Sequence, residues 1–203
     1  MTSYLQYYGI RELMDMFEPT LVKKAMDSAL SRTTSKTATM ISKEVRKRYT
    51  ISARDIRDSL TIRRTQRDSM ERAMLYTGGK LPLEMFKASS VMRKVPIKNH
   101  PVNGSYRARR QRVTARVRRD KGRELAEGVF FGKGQDSGKI IPFKRKNQSD
   151  NKSKLHRQRA VSIPFMVGHP AVVDDIYDFV EEDLPRQFIG RLENELWKAG
   201  YKT

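Results

Sequence analysis

Apolar residues recur at i, i+3 and i+4 through residues 19–48. Leu21, Val22, Ala25, Met26, Ala29, Leu30, Met40, Ile41 and Val45 share one stripe with Thr33 and Thr37. This spacing predicts an amphipathic helix of about 43 Å, at roughly 1.5 Å per residue, expected to lie across a sheet. Residues 3–17 have a weaker version of the pattern, with Leu5, Tyr8, Leu13 and Met16 on a broad apolar face before Pro19. They predict a short helix in an N-terminal arm. Near the other end, Val173, Ile176, Tyr177, Val180, Leu184, Phe188, Leu192 and Leu196 return to helical spacing, and Gly200 can close the helix. Asp183 followed by Pro185 predicts two helices or one kinked helix there.

Between these helices the period shortens to two. In "RQRVTARVRR" (109–118), Val113, Ala115 and Val117 alternate with Arg112, Thr114, Arg116 and Arg118. This is a strand with an apolar face and a basic face. Strands are also expected at "LTIRRT" (60–65), "SMERAMLY" (69–76) and, as an edge, "LPLEMF" (81–86). "GVFFGK" (128–133) and "GKIIPFKRK" (138–146) read as a hairpin, and "AVSIPFMVG" (160–168) as the last core strand. Ser52 and Asp55 form the ends of a capping box on a short helix before Leu60. That helix, with the arginines after it, superficially suits a helix-turn-helix DNA reader. It is only about two turns long, so it reads as a linker feeding a strand. "TGGK" (77–80) is a turn, "KNHPVNGSY" (98–106) a loop, and the basic, polar segment 144–159 a loop that stays mobile until something binds it. The layout is α+β: a long N-terminal helix on a central, mostly antiparallel sheet of five or six strands, then the C-terminal helical end. Residues 1–18 read as an arm and 19–199 as a single domain.

Charge sharpens this picture. The 203 residues are 37% hydrophobic and 32% charged, polar for a folding chain but sufficient for a core. The formal net charge is +19, which favours polyanions or acidic protein surfaces as partners. Residues 80–159 hold 23 Lys/Arg against 6 Asp/Glu, whereas residues 160–203 hold 4 against 8. A basic centre beside an acidic end suits head-to-tail association of copies as well as it suits nucleic acid.

Several chemistries are excluded. With no cysteine, there are no disulfides, thiolate metal sites or cysteine nucleophiles. No stretch approaches the roughly 20 apolar residues that span a bilayer, and the N-terminus lacks the form of a signal peptide. His100, His156 and His169 have no metal-ligand spacing. "FFGKGQDSGK" (130–139) is a hairpin turn and not a phosphate loop. Asp174, Asp175 and Asp178 could be read as a Mg²⁺ cluster, but a helix N-terminus accounts for them. No catalytic constellation emerges, and no enzyme activity, cofactor or metal is expected.

The basic face remains. Arg107, Arg109, Arg110, Arg112, Arg116, Arg118 and Arg119 are arginines, whose forked donors suit carboxylate and phosphate. With Lys144, Arg145 and Lys146 they are candidate assembly or DNA-channel residues. Asp174, Asp175, Asp178, Glu181 and Glu182 are a candidate acidic partner surface. Tyr106 is the one aromatic near the arginines, so base stacking with sequence readout is not expected.

The order of these segments resembles the minor tail protein Z family of tailed bacteriophages and prophages. The resemblance rests on "LVKKAMDSALSRTTSKTATMISKEVRKRYTISARDIRDSLTIRRT" (21–65), "AMLYTGGKLPLEMF" (73–86), the arginine strand, "EGVFFGK" (127–133) and "AVSIPFMVG" (160–168), over about residues 18–199. It implies a structural virion protein with a tail-tube-like or terminator-like fold. Such a protein completes the head-proximal end of the tail as a ring, with six copies the natural expectation. Tail tube or terminator proteins and head–neck connector proteins would be its neighbours, with non-specific contact to DNA in the channel and none to membrane. The implied location is the virion, with the host cytoplasm during assembly. The competing reading is a free, sequence-independent nucleic-acid-binding protein, in which the monomer binds tightly with a steep salt dependence.

Overall fold

The computed structural model describes residues 10–64, 70–96, 107–134, 138–148, 150 and 152–201. Its helices are α1 (Ile10–Met16), α2 (Pro19–Arg48), α3 (Ala53–Asp58), α4 (Ile163–Val167) and α5 (Pro170–Lys198). Its strands are β1 (Leu60–Arg64), β2 (Arg72–Tyr76), β3 (Ser89–Pro96), β4 (Arg107–Ala115), β5 (Glu124–Ala126), β6 (Val129–Lys133), β7 (Ile140–Arg145) and β8 (Leu155–Arg157). The α+β class and the antiparallel pairing are as the pattern implies. The strands are divided among three small sheets, β1–β2, β3–β4–β5 and β6–β7–β8. Residues 3–9 of the expected first helix and the expected loop 98–106 lie outside the described residues.

The chain divides into two compact units: residues 1–43, 60–76 and 168–203, and residues 44–59 and 77–167. In the first unit, Val22, Ala25, Met26 and Ala29 of α2 are buried in one cluster with Leu184, Phe188, Leu192 and Leu196 of α5. The α5 residues recur every fourth position, so they form one ridge along the helix. Leu13 and Met14 of α1 pack against the same cluster. Lys24 pairs with Glu195 and Lys36 with Asp183, each at 2.7 Å. The lysines advance along α2 by the interval over which the carboxylates retreat along α5. The two helices are therefore antiparallel and held in register over about 18 Å. The N-terminal half of the α2 apolar stripe is thus partnered by α5.

Asp183 does not end a helix. α5 runs unbroken through Pro185. An internal proline costs about 3 kcal/mol, but burying Leu184 and Phe188 recovers about 1.5–3 kcal/mol each. The β1–β2 hairpin is tied to α2. Arg64 and Arg72 oppose each other in register, and both bond the Asp27 carboxylate, at 2.5 and 2.6 Å.

In the second unit, β4 is the middle strand of its sheet, and Val113 and Ala115 are buried as the alternation requires. Ser52 accepts the Asp55 backbone N–H and donates to its carboxylate, completing the cap of α3. The 128–146 hairpin forms as β6 and β7. Residues 155–157 of the expected mobile loop form β8 on the β7 edge.

Two expected strands are absent. Residues 81–86 make one bridge, Pro82 to Arg159, and then a 3-10 turn over Leu83–Phe86 that buries both its end residues. Residues 163–167 are α4. Ser162 caps it, accepting the Phe165 N–H, and Pro164 sits in the first turn where it has no ladder bond to lose. Ile163 and Met166 are buried while Phe165 is 62% exposed, which is helical spacing and not alternation.

Candidate functional site

The arginine strand ends earlier than its alternation suggests. β4 stops at Ala115, and residues 116–119 leave it to run beside the C-terminal end of α2. A helix end leaves carbonyls without partners. Here the Arg119 N–H donates to the Arg48 carbonyl at 2.7 Å, and the Arg119 guanidinium reaches the Tyr49 carbonyl at 3.3 Å. The Thr50 N–H returns a bond to the Val117 carbonyl. Cationic donors at this terminus also complement the helix dipole.

The neighbouring arginines also bond within the chain. Arg116 donates to the Arg119 carbonyl at 2.6 Å. Arg118 forks onto Asp120 at 3.0 and 2.6 Å, and this bond holds the Asp120 carboxyl below its ordinary range. Arg112 is half-buried, opposite Val91 of β3. The backbones of Arg107, Arg109 and Arg110 lie on β4, opposite Pro96, Lys94 and Arg93. Their side chains lie outside the described ones. The geometry thus brings Arg116, Arg118 and Arg119 together in a buttress on the α2 terminus.

The remaining basic candidates lie on β7 and one residue past its end. Lys144 is half-buried and Lys146 exposed. The Arg145 guanidinium stacks over the Phe130 ring at 5.6 Å.

The acidic candidates all lie on α5. Asp174, Asp178 and Glu181 are exposed at i, i+4 and i+7, so they form one stripe. Asp175 is half-buried, and Glu182 pairs loosely with Arg186 at 3.7 Å. None lies in the first turn, because α5 begins at Pro170. The helix-terminus account of Asp174, Asp175 and Asp178 therefore does not apply.

The most constrained carboxylate is one the sequence placed only as a cap. Asp183 is 1% exposed. Burial opposes its ionisation, but bonds from Lys36, Arg186, Thr33 and Gln187 outweigh burial and lower its pKa to about 2. Thr33, three residues before Lys36 on the buried stripe of α2, is the sequence signal that a polar partner faces that stripe. Bonds from Lys198 and Lys24 lower Glu195 to about 2 as well. Asp27, likewise unremarked in the sequence, joins two arginines. Among the described residues no group of His, Asp and Glu is arranged to hold a metal ion.

No curated protein and no solved structure matches the chain. A family model described as prophage minor tail protein Z matches residues 8–199. The match spans both units, and the chain therefore belongs to the prophage minor tail protein Z family, structural proteins of the phage tail.

Proposed function

We propose that this chain completes the head-proximal end of a phage tail, as a ring of copies around the DNA channel. The ring, expected to be a hexamer, would sit between the tail tube or its terminator and the head–neck connector. It would assemble in the host cytoplasm and remain in the virion. The observation that carries the reading is family membership over residues 8–199.

The separation of charge supports it. The exposed acidic stripe Asp174, Asp178 and Glu181 lies in one unit, while residues 80–159, with their 23 basic side chains, lie in the other. A chain carrying two unlike, complementary surfaces associates head to tail, and a head-to-tail contact whose rotation closes makes a ring. In this reading Arg107, Arg109, Arg110 and Arg112 of β4 are assembly-interface residues. The buttress Arg116, Arg118 and Arg119 keeps that strand on the end of α2.

Imaging of the head–tail junction in particles by cryo-electron microscopy tests the proposal. A closed ring of this chain at the top of the tail tube is expected. Replacing Asp174, Asp178 and Glu181 with Lys should give tails that do not join heads. Infectious particles at normal titre from that variant, or particles without the chain, would overturn the proposal.

A further inference from the structure

The β7–β8 hairpin carries a second set of cations, and they are lysines. Val129 and Pro142 are buried on one face of the β6–β7–β8 sheet. Side chains alternate along a strand, so Lys144 follows Pro142 on that face, and Lys146 lies one residue past the end of β7. His156 stands directly opposite Lys144 in register. The Lys146 N–H donates to the Lys154 carbonyl at 3.0 Å, which sets Lys154 opposite Lys146. Lys146, Lys154 and His156 are exposed. Beyond them the Asn147 N–H donates to the Ser153 hydroxyl, which donates back to the Asn147 carbonyl. The Asp150 carboxylate accepts the Lys152 backbone N–H.

Lys146 and Lys154, opposite each other just past the ends of β7 and β8, are like charges and repel. Among the described residues no carboxylate pairs with Lys144, Lys146 or Lys154 to relieve this. Proteins break local rules chiefly at functional or strained sites. The residue type then selects the partner. Protein interfaces are enriched in Arg and depleted in Lys. Lys presents a hydrated point charge without a fork, which suits phosphate contact that fixes no base sequence.

We infer that this lysine face of the β7–β8 hairpin contacts the phosphate backbone of double-stranded DNA, independently of sequence. The inference deepens the DNA-channel reading and rests on it for its biological setting. It also moves the DNA contact away from Arg116–Arg119, whose side chains are engaged with their own chain.

The test is fluorescence anisotropy of labelled duplexes of two unrelated sequences, titrated with the purified full chain over a range of salt. The wild type should bind both alike and weaken steeply with salt. Changing Lys144, Lys146 and Lys154 to Gln should weaken binding at least tenfold, and lower the log–log salt slope by about 2–3. Lys146→Gln with Lys154→Gln, both exposed, serves if the triple variant does not fold. Arg118→Gln should leave binding unchanged. Three results overturn the inference: no binding by the wild type at low salt, unchanged binding by the lysine variants, or lost self-association with duplex binding intact. The last would assign the face to an acidic protein partner. Because the assay uses the isolated chain, absence of a ring at the head–tail junction would defeat the proposed function without deciding this result.

Discussion

At the residue scale, Asp183 shows how a polar side chain can specify a helix pair. It lies on the buried side of α5 and gathers donors from both helices. Asp183→Asn keeps the shape but removes the charge that Lys36 and Arg186 bond. The expected cost is about 2 kcal/mol, read from urea unfolding, since charge-assisted bonds are worth about 1.5–3 kcal/mol. An unchanged midpoint would show that the network is dispensable. The sequence contains the ingredients, Thr33 and Lys36 on one helix and Asp183 on another, but nothing in it places them together. Beside Pro185, Asp183 satisfied the pattern of a helix cap equally well. Tertiary burial of Leu184 and Phe188 decided against that pattern.

At the element scale, the β1–β2 hairpin depends on one carboxylate. Two strands alone are marginal in water. Asp27 bonds an arginine from each strand, and Arg72 is largely buried. Asp27→Ala should therefore raise amide exchange in residues 60–64 and 72–76 at least tenfold, for a loss on the order of 1.5–3 kcal/mol. Unaltered protection there would mean that packing, and not the clamp, holds the hairpin. Nothing along the chain singles out Arg64 and Arg72, because a side chain's partner on a distant helix is invisible there. α4 makes a related point. Alternation in "AVSIPFMVG" favours a strand, but Ser162 and Pro164 are helix-start residues. The local signal of cap and proline prevailed over a five-residue period.

At the scale of the whole molecule, acid should act first on the helical unit. Asp183 and Glu195 both have lowered pKa values, near 2. Their stabilisation is complete above about pH 5.5, where the unfolded carboxyls are ionised, and is lost progressively as the pH falls towards 2. Both lie in α5 and bond α2. Hydrogen exchange followed from about pH 5 to about pH 2 should show α2 and α5 losing protection before β3–β8. Simultaneous loss throughout would contradict this. The sequence by itself determined the long helix α2, the β6–β7 hairpin, the Ser52 cap, the α+β class and the family, because periodicity and local turn chemistry act between near neighbours. Only the tertiary structure decided that α2 packs on α5, that the strands divide into three sheets, and that Arg116–Arg119 buttress a helix end. Those outcomes depend on which distant surfaces bury one another and which carbonyls are left unpaired, and a one-dimensional pattern of residue types does not contain either quantity.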